Sequence, residues 1–191
     1  MNPGIILETI SSAYSPLTKE CQQGLLANVT LLSLEKGTVL VREGQHADKT
    51  YYIVQGSARA YYLQEGKDVS DWFAFEHEFI SSIVSFFTHQ PSPHFIELLS
   101  DSVLIELSRD AIENLSDKYH DFERLIRVVV TKTMLSQQER IASILFQKAE
   151  QRYENLLAIH PNIIQRVPLT HIASYLGITL ETLSRIRGLR K

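Results

Sequence analysis

Three side chains near the C-terminal end have chemistry suited to a nucleic acid: Glu181, Ser184 and Arg185. A carboxylate accepts from the cytosine amino group, a guanidinium donates twice to guanine, and a hydroxyl does either. They fall within the first two turns of one expected helix, which is where a recognition helix meets the major groove. The stretch that must hold them is Pro168 to Arg187, PLTHIASYLGITLETLSRIR. Thr170 can cap a first helix, Gly177 sits where that helix must turn, and Thr179 can cap a second. Ile172, Ala173, Leu176, Ile178, Leu183 and Ile186 are spaced so that two crossing helices share one small core, with Ala173 at the close approach. The plainer alternative is an ordinary helical hairpin with a polar surface.

The run Ile178 to Arg187, ITLETLSRIR, resembles the DNA-reading element of Crp/Fnr-type bacterial transcription regulators. The resemblance implies base contacts by Glu181, Ser184 and Arg185, with Thr170, Thr179 and Leu180 on the same DNA-facing surface. Leu180 stands where the cyclic-AMP receptor branch has an arginine, so the pattern is closer to the Fnr branch, and a half-site resembling TTGAT is implied. Arg187, Arg190 and Lys191 gather at the end of the element and suit phosphate contacts. A cationic helix end complementing its own dipole would account for some of that charge.

The net charge of −3 hides two unlike halves. Residues 1–108 hold 6 Lys and Arg against 13 Asp and Glu, whereas residues 109–191 hold 13 against 9. The basic half contains the expected helix-turn-helix. With 191 residues and 44% hydrophobic content the chain can build a real core. The opening MNPGIILETISSAYSPL has neither a basic start nor a long apolar run, so no export signal or membrane span is expected, and the expected compartment is the cytoplasm. The single cysteine, Cys21, cannot by itself hold a four-cysteine iron–sulfur cluster, and a small hydrophobic packing role is expected for it.

From Val29 to about Ser108 the chain reads as short strands broken at Gly37, Gly44, Gly56 and Gly66. The clearest are Val39 and Val41, Tyr52 to Val54, Ala58 to Leu63, Phe95 to Leu99 and Val103 to Leu107. The segment KGTVLVREGQHADKTYYIVQGSARAYY resembles the opening of the family's cyclic-nucleotide-binding β-roll. Residues 79–95, FISSIVSFFTHQPSPHF, then fall on its phosphate-binding cassette. Where nucleotide-binding members have Gly-Glu this chain has Ser81 and Ser82, and where they have Arg followed by Ser or Thr it has Ser92 and Pro93. A phosphate would meet no cation there, so neither cyclic AMP nor cyclic GMP is expected to bind. Phe79, Ser81, Ser82, Ile83 and Ser92 are the candidate effector pocket, for an uncharged or apolar molecule or for no effector at all; Trp72, Phe73, Phe75, Phe86 and Phe87 add to its aromatic character or simply fill the sandwich. Glu76, His77, Glu78, His89 and His94 lack tight metal-ligand spacing, and no metal or other cofactor is expected.

Residues 1 to about 28 read as a helical lead-in broken near Ser15-Pro16. After Ser108 a short helix is expected over Asp110 to Leu115 and then a long one, on which Phe122, Leu125, Val129 and Thr133 have the spacing of a dimer seam, the role this helix has in the family. The hinge is expected at residues 137–140 and a further helix from Ile141 to His160-Pro161. The family's β-hairpin wing is expected to be reduced to, at most, a small ribbon in the loop Ile163 to Val167.

The expected fold is thus α+β: an N-terminal antiparallel β-roll of the jelly-roll type over residues 1–117, a dimerisation helix and hinge over 118–140, and a minimal, winged-helix-like helix-turn-helix unit over 141–191. The expected function is non-enzymatic: a homodimeric, sequence-specific DNA-binding transcription regulator acting on an inverted repeat, with RNA polymerase as a further partner. The competing readings are a ligand-sensing module that acts through a protein partner, and a cupin-like metal-binding protein.

Overall fold

The computed structural model describes residues 3–189. Two helices lead, α1 (Pro3–Ala13) and α2 (Lys19–Leu26), parted at Ser15-Pro16. Thr18 caps α2 by accepting from the Cys21 amide. The strands β1 (Thr30–Leu34), β2 (Val39–Val41), β3 (Lys49–Gln55), β4 (Ala58–Gln64), β5 (Lys67–Ala74), β6 (Phe79–Ser81), β7 (Phe95–Leu98) and β8 (Ser102–Ser108) follow, with a short helix α3 (Ile83–Thr88) between β6 and β7. They form two antiparallel sheets, ordered β1-β8-β3-β6 and β2-β7-β4-β5.

The pattern of β8 shows why the sandwich holds. Leu104 joins Ile53, Ile80, Ile96 and Leu98 between the sheets. Ile105 and Leu107, on the opposite face of the strand, pack with Ile6, Leu7, Cys21 and Leu25 of the leading helices. A strand buried on both faces reads as a nearly continuous apolar run, as Val103 to Leu107 does. Gly56, at φ +104, makes the β3–β4 turn, and a Cβ there would lie 2.2 Å from Ser102 Oγ.

The helical part comprises α4 (Arg109–Lys118), α5 (His120–Phe146), α6 (Ala149–Ile159), α7 (Ile163–Arg166), α8 (Leu169–Tyr175) and α9 (Leu180–Gly188). Its last four members do not form a core of their own. Tyr153, Leu156, Ile163, Val167, Ile172, Leu176, Leu183 and Ile186 pack together with Phe73, Phe75 and Leu99 of the β-roll. Aromatic residues that sequence alone could assign to the sandwich are thus divided. Phe73 and Phe75 serve the C-terminal unit, Phe79 and Phe86 the core beneath α1 and α5, and Phe87 is 55% exposed.

Three expectations need correction. The helix α5 runs unbroken through residues 137–140, and the chain leaves helical geometry only at Gln147, where φ is −104 and ψ 148. The residues that would form the hinge continue the i to i−4 ladder, and Arg140 is anchored to Ser70 and Tyr175 carbonyls. The stretch Ile163 to Val167 holds the helical turn α7 instead of a ribbon, because Ile163 is 1% exposed and tucks into the C-terminal core. Finally, α8 begins at Leu169 with Pro168 at the capping position, so Thr170 lies inside the first turn.

Candidate nucleic-acid interface and sensor pocket

Of the punctuation expected for the helix pair, Gly177 and Thr179 take their places, while the cap of α8 falls to Pro168. Gly177, at φ +65, ends α8 in a Schellman arrangement: its N–H donates to the Ser174 carbonyl at 3.0 Å and that of Ile178 to the Ala173 carbonyl at 3.0 Å. Thr179 then caps α9, accepting from the Thr182 amide at 3.2 Å. Leu183 and Ile186 are 0% and 3% exposed, facing Ile172, Ala173 and Leu176. That burial fixes the opposite face outward. Glu181, Ser184 and Arg185 are exposed, as are Thr170, Thr179 and Leu180, while Arg187 is half-buried. The Glu181 carboxyl is held below its ordinary value by its own backbone amide and the Thr179 hydroxyl, so it is an anion at neutral pH. Arg190 and Lys191 lie outside the described residues.

At the cassette the candidate pocket splits. Ser82 and Ser92, 0% and 2% exposed, close on each other with Oγ atoms 2.8 Å apart, and the Ser92 hydroxyl also donates to the His94 carbonyl at 2.7 Å. Ser85 Oγ accepts from the Ala47 amide. The nearby guanidinium is committed elsewhere: Arg109 donates to the Phe86 and Ser85 carbonyls at 2.6 and 3.0 Å and lies 2.8 Å from His89. Phe79, Ser81 and Ile83 instead line a cavity of about 330 Å³ between the β-roll and α5, with Ile126, Val129 and Thr133 opposite. Its walls are almost wholly apolar. A neighbouring cavity of about 410 Å³ lies between Tyr14, the Glu76 to Phe79 turn, α5 and Tyr175.

The remaining polar candidates are spoken for by packing. His77, at φ +71, bonds Tyr52 Oη at 3.1 Å, and Glu76 pairs with Arg166. His94 is 4% exposed against Tyr62, with burial holding its imidazole below the ordinary value. Among the described residues no three His, Cys, Asp or Glu side chains converge as metal ligands. Cys21 is 0% exposed, and burial beside Asp121 pushes its thiol up to about 12, which leaves it a packing side chain.

The long helix carries a surprise for the expected dimer seam. Phe122 and Leu125 are each 1% exposed inside their own chain's core, so they have no surface to offer a second copy. Val129 and Thr133 are half-buried along the cavities. The stripe left open is Val130, Met134, Gln137, Ile141 and Ile144, alternating four and three residues apart; its apolar members are 42%, 59%, 57% and 40% exposed. Sequence missed it because Phe122 and Leu125 fit the same period, and only the docking of α1 and α2 tells the two stripes apart.

A two-sheet β-roll, a long helix and a helix-turn-helix thus follow one another along the chain. The family described as cyclic nucleotide-binding domain matches residues 31–119. The anaerobic regulatory protein of Aggregatibacter actinomycetemcomitans is 25% identical over 170 residues, covering 81% of this chain and 64% of that protein. The fumarate and nitrate reduction regulatory protein of Yersinia pestis is 25% identical over 171 residues, covering 81% and 66%. In structure, FixK2 from Bradyrhizobium japonicum superimposes with a TM-score of 0.74 at 18% identity, over 84% of this chain and 83% of its own. The chain spans 64% of the length of the first of these curated relatives. Among the described residues no helix is long and apolar enough to cross a membrane.

Proposed function

We propose that this protein is a sequence-specific, DNA-binding regulator of transcription that reads an inverted repeat as a homodimer in the cytoplasm. The observation that carries the reading is the outward face of α9, where Glu181, Ser184 and Arg185 stand exposed over a fully buried Leu183 on a helix capped at its start by Thr179. A two-fold axis along α5 supplies the second recognition helix, and the open stripe Val130, Met134, Ile141 and Ile144 provides the apolar seam. The names of the relatives support a regulatory role, and RNA polymerase is a natural further partner. In this reading residues 1–117 form the sensor and the helices after Gln147 form the DNA-binding unit, with Thr170, Thr179, Leu180, Arg187, Arg190 and Lys191 supporting the base contacts.

Cyclic AMP and cyclic GMP are not effectors in this reading. The resemblance sets Ser82 and Ser92 where nucleotide-binding members have glutamate and arginine; the two hydroxyls contact each other, and Arg109 is spent on backbone carbonyls, which supports this reading. An apolar effector has a cavity available beside α5. The test is selection of bound duplexes from a random pool by the full chain at physiological salt, followed by sequencing. An enriched inverted repeat supports the reading; binding without sequence preference, or none across a range of salt, removes it.

A further inference from the structure

The order of the second sheet leaves β5 at its edge, and an edge strand carries N–H and C=O groups that another element or water must satisfy. Here the first helix of the helix-turn-helix does so. The Ser70 amide donates to Ser174 Oγ at 2.8 Å, and that hydroxyl donates to the Asp68 carbonyl at 3.2 Å. From α5, Arg140 donates to the Ser70 and Tyr175 carbonyls at 3.2 and 3.3 Å, with its guanidinium 4.7 Å over the Tyr175 ring.

Two more arginines tie the same hairpin to the C-terminal unit. Arg59 on β4, 4% exposed, is held by Glu97 and Asp68 and donates to His171 Nδ1 at 2.8 Å. At the other end of β5, Arg166 of α7 forks onto both oxygens of Glu76 at 2.6 and 2.7 Å and donates to the Gly56 carbonyl at 2.8 Å. Glu76 in turn accepts from the Gly56 amide at 2.9 Å. Contacts from α5, α7 and α8 therefore converge on the β4–β5 hairpin. None of them involves Glu181, Ser184 or Arg185.

We propose that the β5 edge is a clasp that fixes the angle of the helix-turn-helix to the β-roll, with Arg59, Arg140, Arg166 and Ser174 as positioning residues for recognition of two half-sites at once. The proposal rests on the DNA-binding reading above and deepens it. Two recognition helices must reach half-sites about one helical turn apart, roughly 34–36 Å. A unit that swings freely has to be ordered at each encounter with the second half-site, and that ordering weakens binding. A single half-site makes no such demand. Because the clasp leaves the reading face open, it sets geometry and does not block DNA.

The experiment compares the full chain with Ser174→Ala, which opens the Ser70 amide, and Arg166→Met, which releases the half-exposed fork at the hairpin's other end. Hydrogen exchange at Ser70 reads the clasp without DNA. Duplexes carrying either the selected inverted repeat or a single half-site read its consequence. Loss of one such contact should speed Ser70 exchange and lower inverted-repeat affinity by about tenfold each, with half-site affinity held within about twofold. General loss of folding would lower both affinities alike. Unchanged Ser70 exchange in both variants overturns the clasp. Faster exchange with equal loss on both duplexes, or with no loss on either, overturns the positioning role. A wild-type chain that selects no duplex removes the DNA reading and the positioning role together, while Ser70 exchange still decides whether the edge is clasped.

Discussion

The loop around Ser82 and Ser92 and the helix from Leu180 to Gly188 are both polar regions, yet they treat their polar groups in opposite ways. In the loop, two buried hydroxyls satisfy each other and a backbone carbonyl, and the Arg109 guanidinium beside α3 is held by carbonyl oxygens. On the helix, a carboxylate, a hydroxyl and a guanidinium stand in solvent over an apolar base that cannot turn them inward. A buried polar group that has its partners is structure. A polar row held outward by a capped helix is available to a partner molecule.

The sharpest way to break this contrast is to remove the base of the open site. Leu183 is 0% exposed at the centre of the core that α6, α8 and α9 share with Phe73 and Phe75. Leu183→Ala should cost about 3 kcal/mol in urea denaturation. Because the core is shared, fluorescence of the only tryptophan, Trp72 on β5, should report the same transition as circular dichroism of the helices. Two separate transitions would show that the C-terminal unit folds apart from the β-roll.

Next in size is the open face itself. Arg185→Ala should weaken binding to the selected repeat by about 2 kcal/mol and relax discrimination at one base pair. Arg187→Ala should weaken all duplexes alike and reduce the salt dependence, as the loss of a phosphate contact does. If Arg185→Ala left sequence preference intact, the base-reading role would belong to other residues.

The closed site should respond less. Ser92→Ala leaves the Ser82 hydroxyl buried without that partner and should cost about 1 kcal/mol. Cyclic AMP added in excess should leave the unfolding midpoint of wild type and variant unchanged, because a ligand that does not bind the native state cannot stabilise it. A rise in the wild-type midpoint would reopen the cassette as a nucleotide site.

The outward face of α9 was legible in the sequence because everything that sets it is local: Thr179 as cap, Gly177 as turn, and apolar residues at helical spacing. The strands around Gly56 and the two leading helices were legible for the same reason. What the sequence hid depends on distant partners. Phe122 and Leu125 carry the spacing of a dimer seam, and only the docking of α1 and α2 against α5 turns them into core. Arg59 sits in a strand rich in alanine and tyrosine, and nothing in ARAYYLQ tells of a histidine more than a hundred residues away. Continuity of α5 past residue 140 was equally hidden, since the polar run Gln-Gln-Glu-Arg is as compatible with a solvated helix as with a hinge.

The smallest effect concerns pH and marks the boundary of the closed region. His94 is buried, neither ring nitrogen has a hydrogen-bond partner, and burial holds its imidazole below the ordinary value of 6.5. His160 and His171 are shifted the same way, first by burial and then by Arg166 and Arg59 respectively. A histidine depressed in the folded state contributes stability that is present above the unfolded value and is lost as pH falls through the folded one, because the unfolded chain takes up protons the native state refuses. The urea midpoint should therefore drop between about pH 7 and pH 5.5. Glu78, raised by burial, works in the opposite sense: its contribution is present at low pH and lost as pH rises. Comparing His94→Phe with wild type separates the two, since the variant keeps an aromatic ring against Tyr62 and has no proton to bind. Its midpoint should fall less on acidification. An equal fall in both proteins would assign the acid sensitivity to His160 and His171, at the junction with the C-terminal unit, and would leave His94 no part in it.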